Sequence, residues 1–172
     1  MPYEPGQSAV IVPVPPVEPV VSRWRRRFDV SARYGVPAHV TVLYPFLHQS
    51  RHDDGVLARL GTVCATTSAL EVAFPRLGRF PNVLYLQPEP SEPFRRLTAA
   101  VAEQWPETPP YGGVYAEVIP HLTVAHDVDE AAFFAVEREV TPHLPVRAWL
   151  EEAWLYSYDG ERWRPHTRLP FG

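Results

Sequence analysis

The chain contains no lysine. Each of its 16 basic residues is an arginine, against 20 acidic residues, and the formal net charge is −4. Without lysine there can be no Schiff base, adenylated lysine or phosphate-loop lysine, which excludes the usual nucleotidyl-transfer ligase mechanism. The negative net charge argues against tight non-specific binding to long nucleic acid, including long duplexes, because such binding depends on a basic surface. A small phosphate-containing ligand is compatible with this composition.

Cysteine and long apolar runs are also scarce. Cys64 is the only cysteine, which excludes a disulfide framework and a thiolate zinc cluster and indicates a reducing compartment. The first residues carry no basic segment, and the apolar stretch 9–21 is interrupted by prolines and Glu18. We therefore expect a cytoplasmic protein that makes no membrane contact.

What the chain does contain is enough to build a core. Of its 172 residues 45% are hydrophobic and 21% are charged, as in ordinary folded proteins. The 21 prolines are numerous, but they fall between apolar segments and so punctuate secondary structure. The length of residues 1–172 fits one globular domain or two small lobes that share a core.

Hydrophobic periodicity and turn residues predict alternating strands and helices. Strands are expected at 8–14, 38–46 and 118–126, and helices at 17–33, 53–69, 91–105 and 129–140. Two hairpins are expected, one with arms 70–77 and 83–87 and one with arms 147–158 and 162–169 around Asp159-Gly160. On the first helix, Arg23, Arg25, Arg26 and Arg27 are expected to face mostly solvent.

A weak internal repeat divides the chain into two halves. The run Pro16-Val17-Glu18-Pro19-Val20 matches Pro90-Ser91-Glu92-Pro93-Phe94, 74 positions later, and each run follows a strand and opens a helix. A strand with the pattern His-x-Thr then follows in each half. The two histidines are 82 positions apart, so the second half has eight extra residues, which we assign to the loop 106–113.

The two motifs are Ala38-His39-Val40-Thr41-Val42 and Pro120-His121-Leu122-Thr123-Val124. Side chains alternate along a strand, so the His and the Thr of each motif share one face, about 6.6 Å apart. An imidazole and a hydroxyl at that spacing can hold one phosphate. His126 follows His121 by five residues, so regular alternation puts it on the opposite face, and no metal site is predicted.

These paired motifs resemble those of the 2H phosphoesterase superfamily, which includes bacterial RNA 2′,3′-cyclic phosphodiesterases, also called 2′-5′ RNA ligases. The run from His39 to Phe46 is similar to the family's extended first motif. The resemblance implies an α+β, bilobal fold with two pseudo-symmetric antiparallel-sheet lobes, helices on the outer faces and a central cleft. It also implies that His39 and His121 are catalytic and that Thr41 and Thr123 bind substrate.

The implied reaction is hydrolysis of a cyclic phosphodiester, in which water attacks phosphorus in line with the leaving oxygen. Two imidazoles with pKa values near 6.5 could be one neutral and one protonated, so no metal or cofactor is expected. The resemblance favours His121 as the base and His39 as the acid. The same groups in reverse would perform 2′-5′ RNA ligation.

Two alternatives are compatible with the same sequence. The chain could be a non-catalytic module that binds a phosphate or nucleotide in the same cleft, or a structural domain in which both motifs are strand composition. Under the enzymatic interpretation the partner is a small nucleotide or an RNA end with a cyclic phosphate, bound by a monomer. Tyr44, Tyr85 and Tyr115 are candidates for base stacking, although packing is the commoner role of such residues.

Overall fold

The computed structural model describes residues 2–172. In chain order its strands and helices are β1 (Ser8–Pro13), α1 (Glu18–Phe28), α2 (Val30–Arg33), β2 (His39–Leu43), α3 (Asp54–Cys64), β3 (Leu70–Phe74), β4 (Leu77–Phe80), β5 (Val83–Leu86), α4 (Glu92–Gln104), β6 (Leu122–His126), α5 (Glu130–Val140), β7 (Val146–Leu150), β8 (Glu152–Tyr158) and β9 (Trp163–Pro170). Short 3₁₀ turns connect several of them, including one at Pro110–Gly113.

All the strand pairs are antiparallel. One sheet has the order β2-β1-β8-β9, a second has the order β4-β5-β6, and β3 pairs with β7. The terminal hairpin β8-β9 therefore joins the first sheet through β1. The central strand β1 is buried on both faces, as expected from its run Ala9-Val10-Ile11-Val12. The predicted mixture of helices and antiparallel sheets is confirmed.

The two predicted halves exist as β1-α1-β2 and β5-α4-β6, and the helix of each half packs on the motif strand of the other. Helix α1 lies against β6 of the second half, and α4 lies against β2 of the first half. A single large cluster of buried apolar residues includes Val21 of α1, Val42 of β2, Leu97 of α4 and Val124 of β6. The helices thus cover one face of each motif strand and leave the other face open.

The predicted first helix is interrupted at Asp29, where the backbone turns extended. The Asp29 side chain accepts a hydrogen bond from the Ser31 amide and so caps α2. The expectation that Arg25 of this helix faces solvent is also wrong. Arg25 is only 2% exposed, because its guanidinium turns inward to pair with Asp29. The sequence could not reveal this because the partner lies beyond the helix end.

The predicted terminal hairpin forms between β8 and β9, but the first predicted hairpin is wrong in one arm. The expected arm 70–77 is mostly β3, which pairs with β7, and it is β4 that forms the hairpin with β5. Pro75 separates β3 from β4, although Ala73 and Glu89 still exchange two backbone hydrogen bonds. The predicted arm 147–158 is β7 in one sheet and β8 in another, because Glu151 lies outside both strands. Hydrophobic periodicity predicted each arm as one continuous strand. In the structure a proline ends one strand early, and the passage of the chain from one sheet to another ends the other.

Aspartate side chains cap the starts of two helices. Asp53 and Asp129 accept hydrogen bonds from the amides of Val56 and Ala132 at the starts of α3 and α5. Ser91 occupies the cap position of α4, but its hydroxyl makes no capping bond. Within residues 2–172 none of the helices has the length and apolar character needed to cross a bilayer.

Candidate active site

The two motif histidines are held by the same local contact. Nδ1 of His39 lies 2.7 Å from the carbonyl oxygen of Pro37, and Nδ1 of His121 lies 2.8 Å from that of Ile119. A carbonyl oxygen can only accept, so Nδ1 carries the proton in each ring and donates it. In the neutral imidazoles Nε2 is therefore the unprotonated nitrogen. Nε2 of these rings has no hydrogen-bond partner among residues 2–172.

Each motif strand contains a β-bulge directly after its threonine. In the pairing of β1 with β2, Ile11 faces Thr41 and Val10 faces Leu43, so Val42 is the extra residue. In the pairing of β5 with β6, Val124 is the extra residue in the same way. A bulge reverses the alternation of the side chains that follow it. The two motifs therefore share both their residue pattern and their backbone irregularity.

The bulges decide which further side chains reach the open face. Val42 and Leu43 are both buried, as are Val124 and Ala125, and the next residue in each strand, Tyr44 or His126, returns to the open side. The prediction that His126 faces away from His121 is therefore wrong. The sequence carries a signal for this break in alternation, namely the consecutive apolar pairs Val42-Leu43 and Val124-Ala125, because a regular strand would place one member of each pair on the open face.

The open faces of the two motif strands border one cavity of about 650 Å³. His39, Thr41, His121 and Thr123 all line it, so the structure brings together the four residues predicted as the site. Its volume is within the usual range for small-molecule sites. The rest of the lining is mainly aromatic and aliphatic and includes Tyr3, Ile11, Tyr44, Phe80, Tyr111, Tyr115, Val118, Ile119, Tyr156 and Trp163.

Burial lowers the pKa of both histidines. His39 has a pKa of about 4, mainly because it is desolvated, with the nearby charges of Arg25 and His121 acting in the same direction. Desolvation also lowers the pKa of His121, and His126 adds to this. The direction of both shifts disfavours the expectation that one ring is protonated near neutral pH. A bound phosphate anion would oppose these shifts because it stabilises an imidazolium.

A buried ionic network supports the backbone just before His39. Arg25 donates to Asp29 Oδ2 from Nε at 3.1 Å and from Nη2 at 2.9 Å, and both of its Nη atoms lie 3.3 Å from the carbonyl oxygen of Val36. Glu18 accepts the Ala38 amide at 2.5 Å. These contacts surround Pro37, whose carbonyl orients His39. Motif analysis did not find them because they link distant sequence positions.

His121 is supported by aromatic rings instead of charges. The ring of Phe80 meets His121 edge to face at 5.2 Å, and the ring of Tyr85 does so at 5.6 Å. Phe80 and Tyr85 also stack on each other at 4.4 Å. Of the three tyrosines considered for base stacking, Tyr44 and Tyr115 line the cavity, whereas Tyr85 is buried beside His121 and is not part of the lining.

The remaining four histidines lie outside the cavity lining, and one of them, His166, is an exposed residue of β9. His48 caps a short turn by accepting from the Ser50 amide, and His52 contacts the carbonyl oxygen of Leu47 at 2.9 Å. His143 is exposed at the end of α5. In the part of the chain that the structure describes, no group of three or more His, Cys, Asp or Glu side chains is arranged to hold a metal ion.

Comparison with solved structures defines the fold class. E. coli LigT complexed with 3′-AMP superposes over 98% of this chain and 99% of its own, with a TM-score of 0.63 and 17% identity. The protein TT0787 of Thermus thermophilus matches over 95% and 97% of the two chains, with a TM-score of 0.56 and 18% identity. At these identities the similarity shows the fold alone, which is that of LigT-like 2H phosphoesterases.

Sequence comparison then identifies the family. The signature of the 2′-5′ RNA ligase superfamily matches residues 13–162, and the chain belongs to that superfamily. The protein named Putative phosphoesterase GK0864, from Geobacillus kaustophilus, is 23% identical over 133 residues, which are 72% of this chain and 70% of that protein. The resemblance noted from the two motifs is thus confirmed, and membership in this superfamily supports an enzyme of phosphoester chemistry.

Proposed function

We propose that the protein hydrolyses a cyclic phosphodiester, such as the 2′,3′-cyclic phosphate of an RNA end or a small nucleotide. The observation that supports this most directly is the pairing of His39 and His121. Their rings present unprotonated, unengaged Nε2 atoms at one cavity, each anchored through Nδ1. Among the solved relatives, LigT is complexed with 3′-AMP. That ribonucleotide carries its phosphate on the 3′ oxygen, one of the two sugar oxygens that a 2′,3′-cyclic phosphate joins.

In the proposed reaction one imidazole accepts a proton from water as the water oxygen bonds to phosphorus. The other imidazole, protonated at Nε2, gives that proton to the ribose oxygen as its bond to phosphorus breaks. The products are a phosphomonoester and a free hydroxyl. Thr41 and Thr123 donate to the non-bridging oxygens, where negative charge increases in the transition state. The two proton transfers need no metal ion or cofactor.

The family resemblance assigns the base to His121 and the acid to His39, and we retain that assignment as part of the proposal. Substrate binding must then raise the pKa of His39, which the phosphodiester anion does by stabilising the imidazolium. The reverse reaction, 2′-5′ ligation of a cyclic phosphate end to a 5′-hydroxyl, uses the same groups.

The test is hydrolysis of a 2′,3′-cyclic nucleotide in the presence of EDTA. His39→Ala and His121→Ala should each lower kcat by about 10²- to 10⁴-fold, because each removes one positioned proton-transfer group. His143→Ala is the matched control, since it deletes an exposed imidazole outside the cavity and should leave kcat unchanged. Thermal unfolding of each variant checks that the fold persists.

Two results would count against the proposal. Unchanged turnover in both cavity variants would show that the imidazoles do not transfer protons. Saturable binding of the nucleotide without product formation by the folded wild-type protein would favour the non-catalytic binding module instead.

A further inference from the structure

The charges around the cavity are unusual for a site that would bind RNA. Its titratable lining residues are His39, His121 and His126 together with Asp29 and Glu117, and no arginine is among the described residues that line it. Lysine is absent from the whole chain. Proteins that bind several phosphates ordinarily provide arginine or lysine for each one. This cavity offers imidazoles only.

The charged groups closest to the cavity are already paired with each other. Arg25 holds Asp29 at 2.9 Å, and Arg95 holds Glu117 at 2.5 Å. His126 lies 3.4 Å from Asp127. Arg25 and Arg95 are thus each matched by a carboxylate. The basic groups of the lining itself are the imidazoles of His39, His121 and His126, and His126 lies beside the Asp127 carboxylate.

One further arginine lies near this region without lining the cavity. The Arg162 guanidinium packs over Gly35, where an added Cβ would come within 3.3 Å of it. Gly35 precedes Val36, which does line the cavity, but Arg162 is not part of the lining.

Neutral aromatic side chains make up much of the remaining wall. Tyr44, Tyr111 and Tyr156 have pKa values raised by burial, so their phenols stay uncharged over the physiological range. Tyr115, which lies just after the predicted insertion loop, stacks edge to face on Tyr111 at 5.7 Å. Aromatic walls favour planar, uncharged groups such as nucleobases.

We propose that the cavity selects a cyclic phosphodiester with a single negative charge and an uncharged, base-sized body, and that it discriminates against substrates with a further phosphate. This inference rests on the proposed function. One imidazolium can balance one phosphodiester anion, whereas a second phosphate would be desolvated beside aromatic rings with no cation available. The preferred substrate class is thus a mononucleoside 2′,3′-cyclic phosphate rather than a 5′-phosphorylated nucleotide or a polynucleotide end.

The experiment compares kcat/KM for two substrates that differ only at the 5′ position. Adenosine 2′,3′-cyclic phosphate with a free 5′-hydroxyl should be hydrolysed with a kcat/KM about tenfold higher than the same compound carrying a 5′-phosphate. Equal values, or a preference for the 5′-phosphate, would overturn the inference while leaving the hydrolytic function intact. Failure to hydrolyse either compound would instead remove the proposed function.

Variants at the cavity rim test the cause of the preference. Glu117→Arg adds a cation at the cavity and also releases Arg95 from its carboxylate partner. It should raise kcat/KM for the 5′-phosphorylated substrate, so that the ratio of kcat/KM between the 5′-hydroxyl and 5′-phosphate substrates falls severalfold. Glu103→Arg makes the same change in net charge at an exposed position of α4 outside the lining, and it should keep the wild-type ratio.

A ratio that shifts equally in both variants would attribute the effect to net charge and contradict the proposal. An unchanged ratio in Glu117→Arg would also contradict it. If Glu117→Arg does not fold, Glu117→Gln removes the carboxylate without adding bulk, and the same narrowing in a smaller degree is expected.

Discussion

Two features determine the tautomer and the pKa of the His39 and His121 imidazoles, a hydrogen bond to a nearby carbonyl and burial of the ring. A carbonyl two residues upstream accepts from Nδ1, and desolvation lowers the pKa of the ring. The carbonyl contact selects the tautomer, and desolvation favours the neutral form of each ring. The motif pattern predicts which residues matter, but their protonation depends on neighbours such as Arg25 that belong to other segments.

These lowered pKa values predict an acidic optimum for kcat/KM, which reports the free protein. One ring must be neutral and the other protonated, so activity should fall at low pH, where both rings are protonated, and again at higher pH, where both are neutral. Because both pKa values are lowered, the His39 value to about 4, the optimum should lie below 6.5. The two rings interact, so the limbs describe the pair and not individual roles. The profile is measured as kcat/KM for a 2′,3′-cyclic nucleotide against pH.

The profile of kcat should lie at higher pH than that of kcat/KM. Bound phosphodiester carries a negative charge at every pH tested, and an adjacent anion raises the pKa of an imidazole. A kcat/KM that remains constant from acid to alkaline pH would show that no titrating pair controls the reaction.

At the scale of secondary structure, the bulges in β2 and β6 are the elements that shape the site. Each makes two successive residues face the core, and so the strands expose His, Thr and a third side chain on the cavity side. The sequence predicted both strands and the shared face of His and Thr. It did not predict the position of His126, because pairing with β1 and β5 determines where the extra residue is accommodated.

The junction of α1 and α2 is a second element on which the site depends. Arg25→Met should destabilise the fold by about 3–5 kcal/mol, because it leaves the Asp29 carboxylate buried without its partner. The double variant Arg25→Met, Asp29→Asn should recover most of that loss, since it removes both charges and keeps an acceptor for the Ser31 amide. Urea denaturation measures both variants.

Activity of the same double variant separates support of the fold from support of His39. With Arg25 gone, the Val36 carbonyl loses its donor and the segment before His39 is less well held. We expect a stable protein with lowered kcat and an acidic limb of kcat/KM moved to higher pH. Arg25 lowers the pKa of His39 more than Asp29 raises it, so losing both charges should raise that pKa. Wild-type kcat and an unmoved limb would mean that Arg25 serves the fold only.

At the scale of the whole molecule, the stability of each half depends on the other, because the helix of each half packs on a strand of the other half. Because α1 packs on β6 and α4 on β2, unfolding one half would expose the core of the other. We predict that residues 1–172 unfold in a single transition, as one domain. Fluorescence and far-UV circular dichroism should then give coincident urea curves.

A core substitution in one half tests this coupling. Leu97 of α4 is 2% exposed, and Leu97→Ala should cost about 2–5 kcal/mol by leaving a cavity. If the halves are coupled, the whole transition moves to lower urea and the two probes still coincide. Separation into two transitions, with one unmoved, would show that the halves unfold independently.

The sequence by itself determined the class of secondary structure, the duplicated halves and the identity of the four motif residues. These features depend on hydrophobic periodicity, proline positions and side-chain chemistry. All three are local properties, which a short segment of the chain has before it folds. The tertiary structure decided that Arg25 is buried, that His126 reaches the cavity and that the pKa values of both imidazoles are lowered. Each of these depends on desolvation, strand register or charge pairing between segments that only folding brings together.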